Sequence, residues 1–533
     1  MAKKQGEIKM RNGLSKNLIA RVLGGAPKYT LDELEAKYPP RQLQDGVMVT
    51  RFAPSPTGYM HLGNLYSGLI DYKLAQQSNG LFLLRIEDTD TKREIKEAVD
   101  VVVNSLAEFG IKYTNDETYG PYYQSQRRDV YHSVAAYLLE RGLAYPCFLT
   151  QEEMDEIREN QKLAGLATGI YGEYARDRDI GEEDIIKHLD NGEVPSIRLY
   201  STGNPDNRIY FKDFVRGSIS VPENNEDIVL IKSTDRLPTY HFAHLCDDHF
   251  MRITHVVRGE EYFGTVALHV QMFRMMGWSL PNYIHTSTLD KIDEETGKQR
   301  KMSKRKDPEN NVSFFLQKGW PAEAVIEYLG NILAPGYEEA KIKGVVKSFW
   351  DYELRPKKIP TSGTLFDMKK LEWWSKEYIA TLPVPDLVKF VVDWANKYGN
   401  EDNKKQIADS NYLTAVLSIE RDNPKRIRKD FITWQQTLEE VAYFWDFLFT
   451  PNREYEYNVD ALHEFVNTFN GNDDKDMWWN KIVAVAEKCG IKPGEVAMNL
   501  RVAMTSRTNT PDLYSIMQVL GEKRVRERIS MII

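Results

Sequence analysis

The sequence predicts an α/β fold in which a parallel-sheet domain is interrupted by an α+β insertion and followed by an all-α C-terminal half. Three observations lead to this prediction. Strand and helix patterns alternate twice between residues 47 and 110, buried-strand patterns return after a polar stretch at 151–190, and mainly helical periods remain beyond about residue 310.

Length and composition limit the classes to which the chain can belong. Its 533 residues suggest about three or four domains, and 42% hydrophobic with 28% charged residues excludes general disorder. A formal charge of −8 still permits a basic nucleic-acid-binding face. Three widely spaced cysteines fit a reducing compartment, and no apolar run approaches the roughly 18 residues of a membrane helix. We therefore expect a cytoplasmic protein without a membrane partner.

The elements follow from residue spacing. Residues 1–46 are expected to be an extension lying on the main body, since their basic start has few of the serines typical of a transit segment. Next come a buried strand at 47–49, a proline-shaped loop at 51–58, a helix from 62 to about 79, a strand at 81–86 and a helix at 95–109. Short strands at 197–199 and 219–221 belong to the insertion, and strands at 228–231 and 253–257 mark the return of the α/β sheet.

Two short segments have residue patterns typical of phosphate-binding sites. The first runs from Pro54 to Asn64 between a strand and a helix, where free N–H groups and the helix dipole favour phosphate. There His61 can donate to phosphate oxygens, and Gly63 permits close approach of a nucleotide. Taken alone, this segment is better interpreted as a helix-entry turn with a capping histidine.

The second segment is a basic loop from Lys298 to Lys306, flanked by Gly297 and Pro308. Such a loop can fold over a triphosphate and neutralise its charge. Taken alone, a solvated basic loop is the better interpretation.

A metal site is the competing interpretation of the stretch from His241 to His249, which contains His, Cys and Asp. Catalytic zinc needs three ligands converging from a rigid frame, and structural zinc prefers sets rich in cysteine. Loop and strand residues beside a substrate pocket are the favoured interpretation. We therefore expect no metal site.

The two phosphate-type segments together resemble the signature motifs of class I aminoacyl-tRNA synthetases. The first reads His61-Leu62-Gly63-Asn64, with Asn where the family has a final His, and the second reads Lys301-Met302-Ser303-Lys304-Arg305. Further segments, in matching order, resemble bacterial-type glutamyl-tRNA synthetases: Arg51 to Gly58, Leu84 to Asp90, Gly120 to Ser125, Pro238 to His241 and Val257 to Glu261. This likeness runs from about residue 47 to the C-terminus and is strongest before residue 330.

The resemblance implies a Rossmann-like catalytic domain and a division of the rest of the chain into further domains. The implied division is an N-terminal extension at 1–46, the first catalytic half at 47–146, an acceptor-binding module at 147–226, the second catalytic half at 227–309, a stem-contact segment at 310–376 and an anticodon-binding domain at 377–533. Some relatives carry zinc in the inserted module, but only Cys147 lies near here, so no zinc is expected.

The resemblance also implies the binding sites. For glutamate these are Arg51, Ala53, Ser55, Glu87, Tyr240, His244 and Arg258, and for ATP they are Thr57, Gly58, His61, Gly63, Asn64, Glu261, Leu289, Met302, Ser303, Lys304 and Arg305. Arginine holds a carboxylate by two parallel hydrogen bonds, which suits an acidic amino acid, although ordinary ion pairing is the alternative role for Arg51 and Arg258. His61, Lys301 and Lys304 are the implied catalytic residues, and ATP is expected with Mg²⁺.

The helical half implies a tRNA partner. Basic stretches at 421–429 and 523–528 are either solvated helix faces or tRNA contacts, and Arg421 is the expected anticodon reader. The expected partners are L-glutamate and tRNA(Glu), with tRNA(Gln) left open, and a monomer is expected. The alternatives are a glutaminyl-tRNA synthetase, against which two pocket arginines and a helical C-terminus argue, and a non-catalytic tRNA-binding paralogue, against which His61, Lys301 and Lys304 argue.

Overall fold

The chain divides into two units. The computed structural model describes residues 12–56, 58–90, 97–303, 305–423 and 427–533. The first unit comprises Met1–Val312 with Leu329–Phe366, and the second comprises Ser313–Tyr328 with Asp367–Ile533. In the part of the chain that is described, no helix is both long and apolar enough to cross a membrane.

Strands occur before residue 366 and helices throughout. The strands are β1 (Val49–Phe52), β2 (Leu81–Leu84), β3 (Ala144–Cys147), β4 (Ser196–Leu199), β5 (Arg208–Asp213), β6 (Gly217–Pro222), β7 (Val229–Ile231), β8 (His255–Gly259), β9 (Asn282–Thr286), β10 (Leu289–Ile292), β11 (Gln299–Lys301) and β12 (Thr364–Leu365). The helices up to residue 342 are α1 (Lys16–Leu23), α2 (Leu31–Lys37), α3 (Leu62–Gln77), α4 (Ala98–Glu108), α5 (Arg128–Glu140), α6 (Gln151–Leu163), α7 (Glu182–Asp190), α8 (Tyr240–Phe250), α9 (Val266–Met276), α10 (Val312–Gln317), α11 (Ala322–Leu333) and α12 (Tyr337–Ile342).

Parallel strands form the centre of the first unit. β1 pairs with β2 and β8 pairs with β9, both in parallel. The amide of Thr254, just before β8, donates to the carbonyl of Val49 in β1 at 3.0 Å. All four residues of β1 are buried, including the polar Thr50 and the charged Arg51. The predicted parallel sheet with strands from both sides of an insertion is therefore confirmed.

The inserted module contributes antiparallel pairs. β4 lies between β3 and β7, and β5 and β6 form a hairpin. The strand at 228–231 exists, but the prediction that it rejoins the parallel sheet is wrong, since β7 runs antiparallel to β4. A short buried apolar run fits a parallel or an antiparallel neighbour equally well, so its pattern does not specify the partner.

The N-terminal segment shares the core of the first unit. Apolar side chains of α1 and α2, including Leu18, Val22 and Leu34, lie in one buried cluster with Val134 of α5. Glu35 of α2 accepts a hydrogen bond from Arg252 at 2.6 Å. The described part of the extension is therefore built into the first unit.

The second unit is helical after Asp367. Its helices are α13 (Met368–Thr381), α14 (Val384–Tyr398), α15 (Glu401–Gln406), α16 (Ser410–Leu417), α17 (Trp434–Glu440), α18 (Val459–Thr468), α19 (Lys475–Cys489), α20 (Pro493–Thr505) and α21 (Leu513–Ser530). One buried cluster joins their apolar faces, from Leu387 in α14 to Ile529 in α21. Because the residues described after Asp367 contain no strand, the prediction of an all-α C-terminal half is confirmed.

Candidate active site

A cavity of about 380 Å³ opens beside the parallel strands of the first unit. Strands β1 and β8, the first turn of α3, the start of α8 and the β10–β11 hairpin supply its walls. Twelve residues that sequence analysis assigned to binding or catalysis line it: Arg51, Ala53, His61, Gly63, Asn64, Glu87, Tyr240, Arg258, Glu261, Leu289, Lys301 and Met302. Residues more than 200 positions apart in sequence thus face one space, at the strand edge where α/β proteins place ligands.

The other expected site residues lie elsewhere. Ser55 lines a neighbouring cavity, which Glu87 and Tyr240 also line. Neither Gly58, His244, Ser303 nor Arg305 lines the main cavity. Thr57 and Lys304 are outside the described residues.

Arg51 and Arg85 share one buried carboxylate, that of Asp248. The Asp248 Oδ1 atom lies 3.3 Å from Arg51 Nε and 2.5 Å from Arg85 Nη1. Although burial alone would raise it, these guanidinium groups hold the pKa of Asp248 well below its usual value. Arg51 also donates to the Val257 carbonyl at 3.2 Å, so its position is fixed by both β8 and α8.

Arg258 is held in a different way, by imidazole rings. Its Nε donates to His285 Nε2 at 3.0 Å and its Nη1 pairs with His269 Nδ1 at 3.1 Å. Within the described ranges no carboxylate lies at ion-pairing distance from Arg258, and its buried Nη2 has no hydrogen-bond partner. Arg258 therefore has no direct ion-pair partner among the described residues, and the Nη2 edge of its guanidinium group can still donate.

The hydrogen bonds of these histidines indicate their protonation. A guanidinium group only donates, so His285 Nε2 and His269 Nδ1 must act as acceptors. The other ring nitrogen of His285 then donates to Asp213 Oδ2 at 2.7 Å, and that of His269 donates to His241 Nδ1 at 3.1 Å. Burial lowers the pKa of His269 well below its usual value and that of His241 to about 4, and the nearby Arg258 charge adds to both effects. The rings are therefore neutral at physiological pH.

His244 lies behind the cavity wall. It is fully buried, its Nδ1 lies 2.8 Å from Asp248 Oδ2, and its Nε2 lies 2.9 Å from the Tyr283 hydroxyl. Burial lowers its pKa to about 4, even though Asp248 opposes this effect. Its place in the structure suits support of Asp248.

The stretch 241–249 does not gather its side chains around one point. His241 contacts His269, Cys246 is in the apolar core, and His249 stacks on Trp278 at 3.7 Å between ring centroids. Across the described residues no group of three or more His, Cys, Asp or Glu side chains could hold a metal ion.

Two arginines, Arg51 and Arg258, line one end of the cavity. Arg51 and Arg85 share the Asp248 carboxylate, and Arg85 also lies 3.9 Å from Asp247, whereas no acid of the described residues lies at ion-pairing distance from Arg258. Glu87 supplies a further carboxylate, 3.2 Å from Arg85. Burial raises the pKa of Glu87, although Arg85 and Arg51 oppose this effect, and it raises the pKa of Asp71 well above its usual value. Arg258, which has no acid partner among the described residues, is therefore the group here that favours an anionic ligand.

The other end is built around the start of α3. His61 is the N-cap, its Nδ1 accepts from the Asn64 amide at 3.1 Å, and its own amide donates to Asn64 Oδ1 at 3.3 Å. Because Nδ1 is an acceptor, the ring proton lies on Nε2. A Cβ atom on Gly63 would lie 3.1–3.2 Å from the His61 ring, so a larger residue there would require the ring to shift by a few tenths of an ångström.

The β10–β11 hairpin closes the same end. The Met302 amide donates to the Leu289 carbonyl at 3.0 Å, and both side chains are buried. At the end of β11, Lys301 Nζ lies 3.6 Å from Glu261 Oε1. The Lys301 side chain is more than half exposed, and that of Glu261 is half exposed. Beyond it, the Ser303 amide donates to Asp307. The basic segment is thus anchored on both sides of Met302.

Sequence analysis missed the residues behind the arginines. Arg85, Asp248, His269 and His285 make the contacts that orient Arg51 and Arg258. Only Asp248 and Arg85 lay within noted segments, and no local pattern marked His269 or His285.

Arg421, expected to read the anticodon, is bound within the second unit. One Nη atom donates to the carbonyls of Ile379 and Leu382, both at 2.7 Å, near the C-terminal end of α13. The neighbouring Arg428 pairs with Asp430 at 2.6 Å, and Lys429 pairs with Glu377 at 2.8 Å. Arg421, Arg428 and Lys429 thus contact the protein itself, and the described residues of the 421–429 segment form no helix, so a solvated helix face is the wrong interpretation for them.

Most of the chain matches known protein families and known proteins. Residues 47–373 match the family described as class I tRNA synthetases (E and Q), catalytic domain, and residues 433–533 match an anticodon-binding domain. A glutamate–tRNA ligase of Acetivibrio thermocellus is 42% identical over 525 residues, covering 93% of this chain and 95% of the relative. One from Sorangium cellulosum is 36% identical over 555 residues, covering 94% and 97%. The crystal structure of a glutamate tRNA ligase from Elizabethkingia meningosepticum, in complex with its amino acid, is similar with a TM-score of 0.76 and 26% identity, covering 91% of this chain and 99% of that one.

Proposed function

The chain belongs to the class I tRNA synthetases for glutamate and glutamine, and on that basis we propose that it ligates L-glutamate to the 3′-terminal adenosine of tRNA. The reaction uses ATP and has two steps. The α-carboxylate attacks the α-phosphate of ATP and releases pyrophosphate, and a ribose hydroxyl of the tRNA then displaces AMP from the glutamyl adenylate.

The lack of an acid partner for Arg258 among the described residues is the observation that favours glutamate over glutamine. Glutamate brings two carboxylates and one ammonium, a net charge of −1, whereas glutamine is neutral overall. Glutamate can form an ion pair with Arg258. Glutamine would cover the same guanidinium group without an anionic partner, which costs desolvation energy. We assign the side-chain carboxylate to Arg258 and Arg51, with the Tyr240 hydroxyl as a further donor.

Other residues bind the remaining groups of the amino acid. Glu87 is assigned to the ammonium, and Ser55 in the adjoining cavity assists it. Ala53 belongs to the wall beside them, while His244 acts through Asp248.

The nucleotide lies at the α3 end in this proposal. His61 Nε2 donates to phosphate oxygens, and Lys301, with Lys304 from the sequence motif, neutralises the charge that grows in the transition state. Glu261, Leu289 and Met302 contact the adenosine side. We propose that Mg²⁺ enters with ATP and keeps phosphate and water ligands, as this ion commonly does.

Three parts of the chain are assigned to different parts of the tRNA, as the family resemblance implies. We propose that residues 147–226 bind the acceptor end, 310–376 contact the stem and 377–533 bind the anticodon, in a monomer that acts in the cytoplasm. The family match at residues 433–533 supports the last of these contacts.

An aminoacylation assay tests the proposal. The purified protein is offered radiolabelled glutamate or glutamine, each with ATP and either tRNA(Glu) or tRNA(Gln). We expect glutamate to be attached to tRNA(Glu), and the tRNA(Gln) arm decides whether a second tRNA is accepted. Incorporation of glutamine on tRNA(Gln) without glutamate incorporation would identify a glutaminyl enzyme, and no incorporation at all would identify a non-catalytic paralogue.

A further inference from the structure

Of the two arginines that line the main cavity, Arg51 is held by a carboxylate and a backbone carbonyl, and Arg258 by neither. Arg51 contacts Asp248, whereas Arg258 contacts two imidazole rings. Both ring contacts involve side chains that are fully buried, since His269 and His285 have no exposed surface. The fold thus provides neutral acceptors where an acid would be the usual partner.

From this arrangement we infer that His269 and His285 are positioning residues that determine acid specificity: they orient Arg258 without neutralising it. The inference rests on the proposed function. A carboxylate in either place would hold the guanidinium group equally firmly, but it would compete with the side-chain carboxylate of the substrate. An imidazole fixes the same two donors and leaves the full charge for the ligand.

The orientation of each ring is itself fixed. His285 donates to Asp213, whose other oxygen accepts from the amides of Val215 and Arg216 at 2.9 and 2.8 Å. His269 donates to His241, which keeps the His269 Nδ1 lone pair directed at Arg258. Arg258 Nη2 has no hydrogen-bond partner among the described residues, so its N–H groups are available to a ligand.

The test exchanges His269 for two residues of nearly equal size. In His269→Asn the side-chain oxygen takes the place of Nδ1 as a neutral acceptor, and in His269→Asp the same position carries a negative charge. Both variants lose the ring and the His241 contact, so their difference isolates the charge. Each full-length variant is assayed for glutamylation of tRNA, for competition by glutamine, and for thermal unfolding.

We expect the KM for glutamate in His269→Asn to stay within about threefold of wild type, while in His269→Asp it rises at least about tenfold with little change in kcat, as close charge pairs couple by more than 1 kcal/mol. The preference for glutamate over glutamine should fall by a similar factor in the Asp variant. Equal KM values in the two variants would overturn the inference and leave His269 a packing residue.

A second pair of variants, at His285, tests the inference if either His269 variant fails to fold. In His285→Gln the side-chain oxygen reaches the position of Nε2, and in His285→Asn it is too short. The account predicts a near-normal KM for glutamate in the first and a rise of about tenfold in the second, and equal values would contradict it. Failure of the wild-type protein to attach glutamate would instead refute the proposed function, so the two failures are distinguishable.

Discussion

Replacing Arg258 with alanine should weaken glutamate binding far more than it weakens the fold. Arg258 has no acid partner, so its removal leaves no buried carboxylate unpaired. Only the acceptors of His269 and His285 lose their donor, and water entering the emptied space beside the cavity can replace it.

The size of the effect on glutamate binding follows from the loss of the charged partner of the substrate carboxylate. Removing one partner of a desolvated charge pair costs about 2–5 kcal/mol, and the lower part of that range applies because Arg51 still attracts the substrate carboxylate. A loss of about 2–3.5 kcal/mol corresponds to a KM for glutamate raised roughly 30- to 400-fold. The KM for ATP should change by less than about twofold, since the nucleotide end of the cavity is formed by α3 and the β10–β11 hairpin.

Arg51→Ala is the matched control. Arg51 shares Asp248 with Arg85, and breaking a buried pair is costly to the fold, at about 3–5 kcal/mol when no other cation remains. Because Arg85 remains, the cost is smaller here, but Arg51→Ala should still lower Tm more than Arg258→Ala does. Initial rates of tRNA glutamylation at varied glutamate, and thermal unfolding of both variants, measure these effects. An unchanged KM for glutamate in Arg258→Ala would refute the pocket assignment.

Four further outcomes are expected. Gly63→Ala should lower kcat about tenfold or more by displacing the His61 ring, measured as glutamylation rate, and a wild-type rate would show that the ring position does not matter. Lys304→Ala should lower the rate of glutamate-dependent pyrophosphate exchange, measured with tRNA present, by at least about a hundredfold with little change in the KM for glutamate; a normal rate would exclude the loop from catalysis. Burial lowers the pKa of His255 to about 4, so the folded state resists its protonation and wild type loses stability as pH falls from about 6.5 towards 4. The difference in unfolding free energy between wild type and His255→Gln should therefore shrink by about 1–2 kcal/mol between pH 8 and pH 5, and a constant difference in denaturant titrations would contradict this. The affinity for tRNA should fall steadily as salt rises in filter-binding experiments, and a flat response would argue against phosphate contacts.

Local signals predicted one part of the site well. Proline and glycine punctuation located the loop before α3, and residue spacing located α3 itself, so His61 and Gly63 could be placed at a helix start from sequence alone. Arg51 and Arg258 were identified only through the family resemblance, and residue spacing predicted Arg51 in the loop after the first strand, whereas it lies in β1.

The long-range contacts that hold the arginines of the site in place could not be predicted from local patterns. Asp248 meets Arg51 across 197 positions, and Asp213 meets His285 across 72. Such pairs depend on which strands become neighbours, and apolar patterns do not encode neighbours, as the direction of β7 also illustrates. Arg421 was chosen from local charge, but its contacts with the end of α13 depend on helix packing.

The most direct test of the central claim is a crystal structure of the protein with L-glutamate. The claim is that Arg258, held by two neutral imidazoles, binds the side-chain carboxylate of the amino acid. The account predicts a carboxylate oxygen about 2.8 Å from Arg258 Nη2, with the contacts to His269 and His285 intact. A side chain bound away from Arg258, or an Arg258 that has turned to pair with an acid of the protein, would contradict it.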